Sequence, residues 1–236
     1  MALLEAALNG DRDHPRAPRT PEELARDAAA CVDAGAAVLH LHPYDLAGRE
    51  TLAAEACAAA IRAVHAACPG VPISLSTSEG IEADPAKRLQ LVAAWSELPE
   101  LVTANQGEEG IVELCELLID RGVGVEAGLL TVADAEAFVE STLPPRCVRA
   151  LVEPLGTEPE AALAEAEAIE AVLAAAKIGL EQVHHGDGIA SWAINERGAA
   201  RGHGIRTGLE DTTVLPDGSE ARGNADLVRA AAAILG

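Results

Sequence analysis

The chain has 236 residues, 49% of them hydrophobic, and a formal net charge of −21. That length suits a single α/β barrel, and the apolar share can fill a large core. The acidity argues against nucleic acid and anionic membranes as partners, while a small anionic substrate is decided by local charge in a cleft.

In chain order, short β-rich runs alternate with Ala-rich helical stretches. A strand is expected over 3–8, followed by a polar loop from Asn9-Gly10 to Pro18. Thr20, Pro21 and Glu23 form a capping box that opens a helix ending near Gly35. A strand over 37–42 precedes a helix over 52–67, which Pro69-Gly70 stops. Further pairs are a strand over 72–76 with a helix over 84–97, and a strand over 101–105 with a helix over 108–121. Then come a strand over 123–128 with a helix over 131–141, and a strand over 147–153 with a long helix over 158–176. The last two pairs are 178–184 with 189–201, and 204–208 with 221–234. Eight such alternations predict one domain over 1–236, an α/β fold of the (β/α)8 TIM barrel type.

No stretch reads as a membrane span. Met1-Ala2-Leu3-Leu4-Glu5 shows no basic leader, so the expected compartment is the cytoplasm. Cys31, Cys57, Cys68, Cys115 and Cys147 show no metal-binding spacing and read as reduced packing residues. Trp95 and Trp192 are expected to pack helices onto the barrel.

Polar residues recur at the predicted strand ends: His40, His42, Ser76, Thr77, Thr103, Asn105, Glu126, Glu153, His184, Glu210 and Asp211. In barrels of this type the C-terminal face carries the chemistry. Within Val38-Leu39-His40-Leu41-His42, the two histidines share one face of a strand. Strands 2 and 8 both flank strand 1, so Glu210 can join them as a third ligand. Two imidazoles and a carboxylate leave open positions on Zn²⁺, and Fe²⁺, Mn²⁺ or Co²⁺ would suit the same donors. Arg206 and Asp211, beside Glu210, can orient a proton-transfer group or bind a carboxylate. Glu126 can hold Arg206 in place or form a plain buried ion pair. Arg12, Arg16 and Arg19 are either solvated or available to an anion, and His184 is either a polar group at the mouth or bonded to backbone.

These residues resemble the β-keto acid cleavage enzymes, best known for cleaving 3-keto-5-aminohexanoate. The matching marks are Ala7-Leu8-Asn9-Gly10, Leu39-His40-Leu41-His42, Leu75-Ser76-Thr77, Thr103-Ala104-Asn105 and Gly124-Val125-Glu126. The most specific is Gly204-Ile205-Arg206-Thr207-Gly208-Leu209-Glu210-Asp211, followed by Asn224-Ala225-Asp226. The resemblance implies a zinc-bearing barrel that exchanges a β-keto acid with acetyl-CoA, giving acetoacetate and a new CoA thioester. It implies metal ligation by His40, His42 and Glu210, with Ser76, Thr103 and Asn105 at the substrate. Arg206 and Asp211 would form the proton-transfer pair, with Glu126 positioning Arg206. Homo-oligomerisation is also implied. The chain is short for the family, and Ser76-Thr77-Ser78-Glu79-Gly80 stands where the family has Ser-Thr-Gly-Gly. The alternative is a metal-dependent aldolase, decarboxylase or hydrolase that acts on a keto acid without CoA; a non-catalytic barrel that binds metal or keto acid is a third reading.

Overall fold

The computed structural model describes residues 2–236. Eight parallel strands close into a barrel in which each strand pairs with its neighbours in sequence and the first pairs with the last. They are β1 (Leu4–Ala7), β2 (Val38–Leu41), β3 (Ile73–Ser76), β4 (Leu101–Asn105), β5 (Gly124–Leu129), β6 (Arg149–Val152), β7 (Glu181–His184) and β8 (Gly204–Thr207). Eight helices alternate with them: α1 (Pro21–Asp33), α2 (Ala54–Ala67), α3 (Pro85–Ala93), α4 (Ile111–Asp120), α5 (Val132–Glu140), α6 (Pro159–Ala175), α7 (Ser191–Ala200) and α8 (Asn224–Leu235). Every predicted strand and helix is present. No helix among the described residues is long and apolar enough to cross a membrane.

The local rules act where the sequence places them. Thr20 accepts from Glu23 N and Glu23 reaches back to the Thr20 backbone, so α1 opens on a complete capping box. Asp84 accepts from Ala86 N and Lys87 N to cap α3. That helix stops at Ala93 rather than 97, and Trp95 turns inward there, donating its indole N–H to Leu52 O at 2.8 Å. Two connections fold back on themselves after strands: Tyr44 bridges Glu50 beyond β2, and Val214 bridges Glu220 beyond β8. Trp192 donates to Val214 O at 2.8 Å and ties the second excursion to α7. All five cysteines are free and buried, as the sequence suggests.

Strand periodicity splits the side chains between two cores. Leu4, Ala6, Leu39, Leu41, Ile73, Leu75, Val102 and Ala104 face the helices and join the main apolar cluster. The alternate positions line the barrel axis and are unusually polar. Glu5, His40, Ser74, Thr103, Glu126, Arg149 and Arg206 are all buried there. Barrel interiors are ordinarily filled by branched apolar residues. Here Glu126 accepts from Ser74 and pairs with Arg149 at 3.3 Å, while Arg149 reaches Glu181 at 3.4 Å on the opposite end.

Glu5 lies opposite Arg206 in the β1–β8 register, and neither of its carboxyl oxygens has a hydrogen-bond partner. Burial pushes its carboxyl up to about 8, with Glu126 adding to the shift and Arg206 and Arg149 opposing it. A carboxyl raised in the folded state stabilises below its unfolded value of about 4.5, and that stability is lost as pH rises through about 8. Urea unfolding of Glu5→Gln should therefore depend less on pH between 5 and 9 than the parent chain. Above pH 8 the variant should be the more stable, with a ceiling of about 5 kcal/mol. Parallel pH profiles for the two proteins would contradict this.

Candidate active site

The C-terminal ends of β1, β2 and β8 hold the site. Because β1 pairs with β2 on one side and β8 on the other, residues from the ends of β2 and β8 meet across it. His40 Nε2 lies 3.1 Å from His42 Nε2 and 3.4 Å from Glu210 Oε2, and His42 Nε2 lies 3.5 Å from Glu210 Oε1. Three donors of one tetrahedral ion, with bonds of about 2.0–2.1 Å, stand about 3.3 Å apart. The two histidine contacts run to different Glu210 oxygens, and one donor atom from each residue lies within 4.8 Å of the others, so the three side chains converge closely enough to share a divalent cation. Glu210 Oε2 is buried and has no hydrogen-bond partner, which also suits a ligand atom.

Each ligand is held from behind. Thr103 Oγ1 sits 3.2 Å from His40 Nδ1, and Glu50 Oε1 accepts from His42 Nδ1 at 2.6 Å. These contacts favour the proton on Nδ1 and leave Nε2 toward the triangle. Asn9 fixes the β2 end: it accepts from His42 N at 2.8 Å and donates to His42 O at 2.9 Å. Asn224 fixes the turn after β8, accepting from Leu209 N at 2.6 Å and donating to Leu8 O at 2.6 Å. Two glycines make the approach possible. A Cβ on Gly208 would lie 1.8 Å from Ala7 O, and one on Gly10, whose φ is +93°, would lie 2.6 Å from Glu210 Cγ.

Electrostatics match a cation site. Burial opposes charge on His42, but Glu210 and Glu50 outweigh it and push the imidazole up to about 10. Burial holds His40 below its ordinary value despite Glu210. Burial alone would raise Glu210, yet Arg206, His40 and His42 hold it well below the usual carboxylate range. A divalent ion would take the place of the proton these acids attract.

Arg206 is buried and donates through Nη2 to Glu210 Oε1 at 2.9 Å and Asp211 Oδ1 at 2.7 Å. Ser76, Thr103 and Asn105 join the triad around one cavity of about 280 Å³. A second cavity, about 440 Å³, opens beside Arg206 and Asp211. A third, about 780 Å³, extends past Ser78 and Asn105 to Glu79, Glu108, Asp134 and Glu165. Eight of the nine residues expected from sequence at the site line these cavities, and Glu126 does not.

Three expectations change in detail. Glu126 lies deeper in the barrel and pairs directly with Arg149, so it acts on Arg206 only through longer-range attraction. His184 turns outward, away from the mouth, and sits against Glu170 at 3.6 Å and stacked on His203 at 4.8 Å. Of the three early arginines only Arg12 reaches the mouth, where it pairs with Asp187 and donates to Glu210 O at 3.1 Å. Arg16 donates to Arg222 O, and Arg19 lies over the Tyr44 ring at 5.1 Å. Sequence reasoning missed Glu50 and His185 as site residues. Which of His184 and His185 faces the axis is set by the register that puts Glu181 beside inward Arg149, and Glu50 becomes a partner only through the turn that returns it to Tyr44.

The chain matches the family model for beta-keto acid cleavage enzyme over residues 2–186 and 185–236. It is 32% identical over 138 residues to a 3-keto-5-aminohexanoate cleavage enzyme from Acetoanaerobium sticklandii, covering 52% of this chain and 50% of that protein. A protein of the same name from Fusobacterium nucleatum is 33% identical over 138 residues, covering 52% and 51%. The chain thus spans about half the length of the curated relatives it matches. Among solved structures, the ternary complex of ObcA with C4-CoA adduct and oxalate superposes with TM-score 0.75 at 19% identity, over 92% of this chain and 63% of that one. The 3-hexulose-6-phosphate synthase from Salmonella typhimurium gives 0.63 at 16% identity, over 99% and 98%. At such identities the likeness is one of fold. With the family model matching from residue 2 to residue 236, the chain belongs to the β-keto acid cleavage enzyme family.

Proposed function

We propose that this protein is a zinc-dependent β-keto acid cleavage enzyme that exchanges acyl groups with acetyl-CoA. The observation that carries the proposal is the His40, His42 and Glu210 triangle set beside a buried Arg206–Asp211 pair. In the exchange, the acyl group of the keto acid moves to the CoA sulfur and the acetyl group takes its place on the carbon it left. Acetoacetate and a new thioester result, and atoms balance. The bound zinc would supply Lewis acidity to the keto oxygen and carboxylate of the substrate.

This chain's residues do the rest. Ser76, Thr103 and Asn105 line the cavity beside the triad and would orient the keto acid. Asp211 would take the proton from C2, the carbon between keto group and carboxylate. Arg206 would hold Asp211 ionised: burial raises that carboxyl, but Arg206 and His185 bring it below its ordinary value. Arg206, itself fully buried and charged, also meets the negative charge that develops on the substrate.

A second reading, keto-acid cleavage without CoA, draws support from the cavity of about 780 Å³. Glu79, Asp134 and Glu165 line it beside an Arg88–Glu108 ion pair, and these three acids would repel the phosphates of a thioester entering there. Acetyl-CoA consumption with a panel of β-keto acids separates the two. Thioester formation supports the first reading, and cleavage without CoA the second.

His40→Ala and Glu210→Ala should each strip zinc from the protein as judged by elemental analysis. Asp211→Asn should keep its metal and lose about 10²–10⁴-fold in turnover. A fully metallated His40→Ala protein would refute the ligand assignment. Glu50→Gln should bind zinc about 10–100-fold more weakly in chelator competition, because His42 loses the acid that orients it. An unchanged zinc affinity would leave Glu50 a packing residue.

A further inference from the structure

His185 is 1% exposed and stands between two acids. Its Nδ1 lies 3.5 Å from Asp211 Oδ1, and its Nε2 lies 3.3 Å from Glu153 Oε2. Arg206 Nη2 donates to the same Asp211 Oδ1 at 2.7 Å. Asp211 Oδ2 is buried without a hydrogen-bond partner, as are His185 Nε2 and Glu153 Oε2. Asp211 Oδ1 thus accepts from Arg206 with His185 Nδ1 alongside, and Oδ2 is the oxygen left without a partner. Catalytic hydrogen bonds are often loose before substrate binds, and the 3.3–3.5 Å spacings fit that state.

Charge balance points to the same role. Glu153, Glu210 and Asp211 all crowd Arg206, at 3.9, 2.9 and 2.7 Å. Glu210 also faces His40 and His42 at the metal site, so Arg206 shares Glu153 and Asp211 with one other group, and His185 is the imidazole within reach of both. Burial and Arg206 oppose its charge, yet Glu153 and Asp211 outweigh them and push the imidazole up to about 9. Glu5 and Glu126, deeper in the barrel, feel the same charge.

We propose that His185 is a positioning residue: bridged to Glu153, it holds the Asp211 carboxylate in the orientation that lets Oδ2 take the C2 proton of a β-keto acid. This rests on the proton-transfer role proposed above for Asp211. In the step, the C2–H bond breaks, its electron pair stays on the substrate as the enolate, and the proton goes to Asp211 Oδ2. His185 neither gains nor loses a proton. It was not among the site residues expected from sequence.

The test follows C2 proton exchange of acetoacetate in D₂O by proton NMR, using the zinc-loaded chain and subtracting the uncatalysed rate. No CoA is needed. His185→Ala should slow exchange by about 10–100-fold while leaving zinc content and acetoacetate affinity nearly unchanged. His185→Gln, which keeps a donor, should recover part of the loss and guards against a folding defect. Glu153→Gln should slow exchange in the parent chain but add less than about twofold on top of His185→Ala, since it acts through His185. Exchange at the parent rate in His185→Ala would overturn the proposal. So would fully additive losses, or a fall in affinity that accounts for the lost rate. A parent chain that exchanges C2 protons but forms no thioester removes the acyltransfer reading and leaves this inference standing. A parent chain that exchanges none removes the role of Asp211 and this inference with it.

Discussion

The structure depends on β1 lying between β2 and β8. That adjacency turns residues 40, 42 and 210, far apart in sequence, into three donor atoms within 4.8 Å of one another. Backbone pairing alone does not place them. Asn9 locks the β2 end to the loop after β1, and Asn224 locks the turn after β8 to Leu8. Both amides are fully buried, so each of their bonds is made in a low-dielectric setting where an unpaired group would be costly. Gly10 and Gly208 then remove the side chains that would hold the two ends apart.

Beneath the triad runs a second feature, a line of polar contacts down the barrel axis. Glu181 meets Arg149, Arg149 meets Glu126, and Glu126 meets Ser74. Ser74 lies 3.3 Å from Thr103, and Thr103 lies 3.2 Å from His40. An ordinary barrel would bury branched apolar residues at these positions and be no less stable for it. The polar line instead gives His40 a fixed orientation from below, while Glu50 does the same for His42 from the side. Rigid support of this kind is what holds donor atoms at a spacing suited to a cation.

Much of this was legible in the residues. Period-two runs and Ala-rich helical stretches located all sixteen elements, with ends shifted by up to four residues. The largest shift, at the end of α3, follows from Trp95 leaving the helix to bond Leu52. Strand parity put His40 and His42 on one face, and motif order brought Glu210 to them. Parity alone did not separate His185 from His184: the β6–β7 register, which sets Glu181 beside inward Arg149, turns His185 to the axis. Glu126 illustrates the limit: its place on an inward face is plain from the strand, but its partner is not. Arg149, on the neighbouring strand, reaches it before Arg206 does.

What the sequence determined by itself is what depends on local periodicity and short motifs: the element order, the barrel, and which residues of a strand share a face. Those follow from backbone geometry repeated every two or 3.6 residues. Only the tertiary structure decided which inward side chains touch. Closure of β1 on β8, the return of Glu50 to His42 and the seat of His185 between Glu153 and Asp211 are contacts between distant segments. Their distances are set by how strands stagger and loops fold back, and no local pattern encodes that.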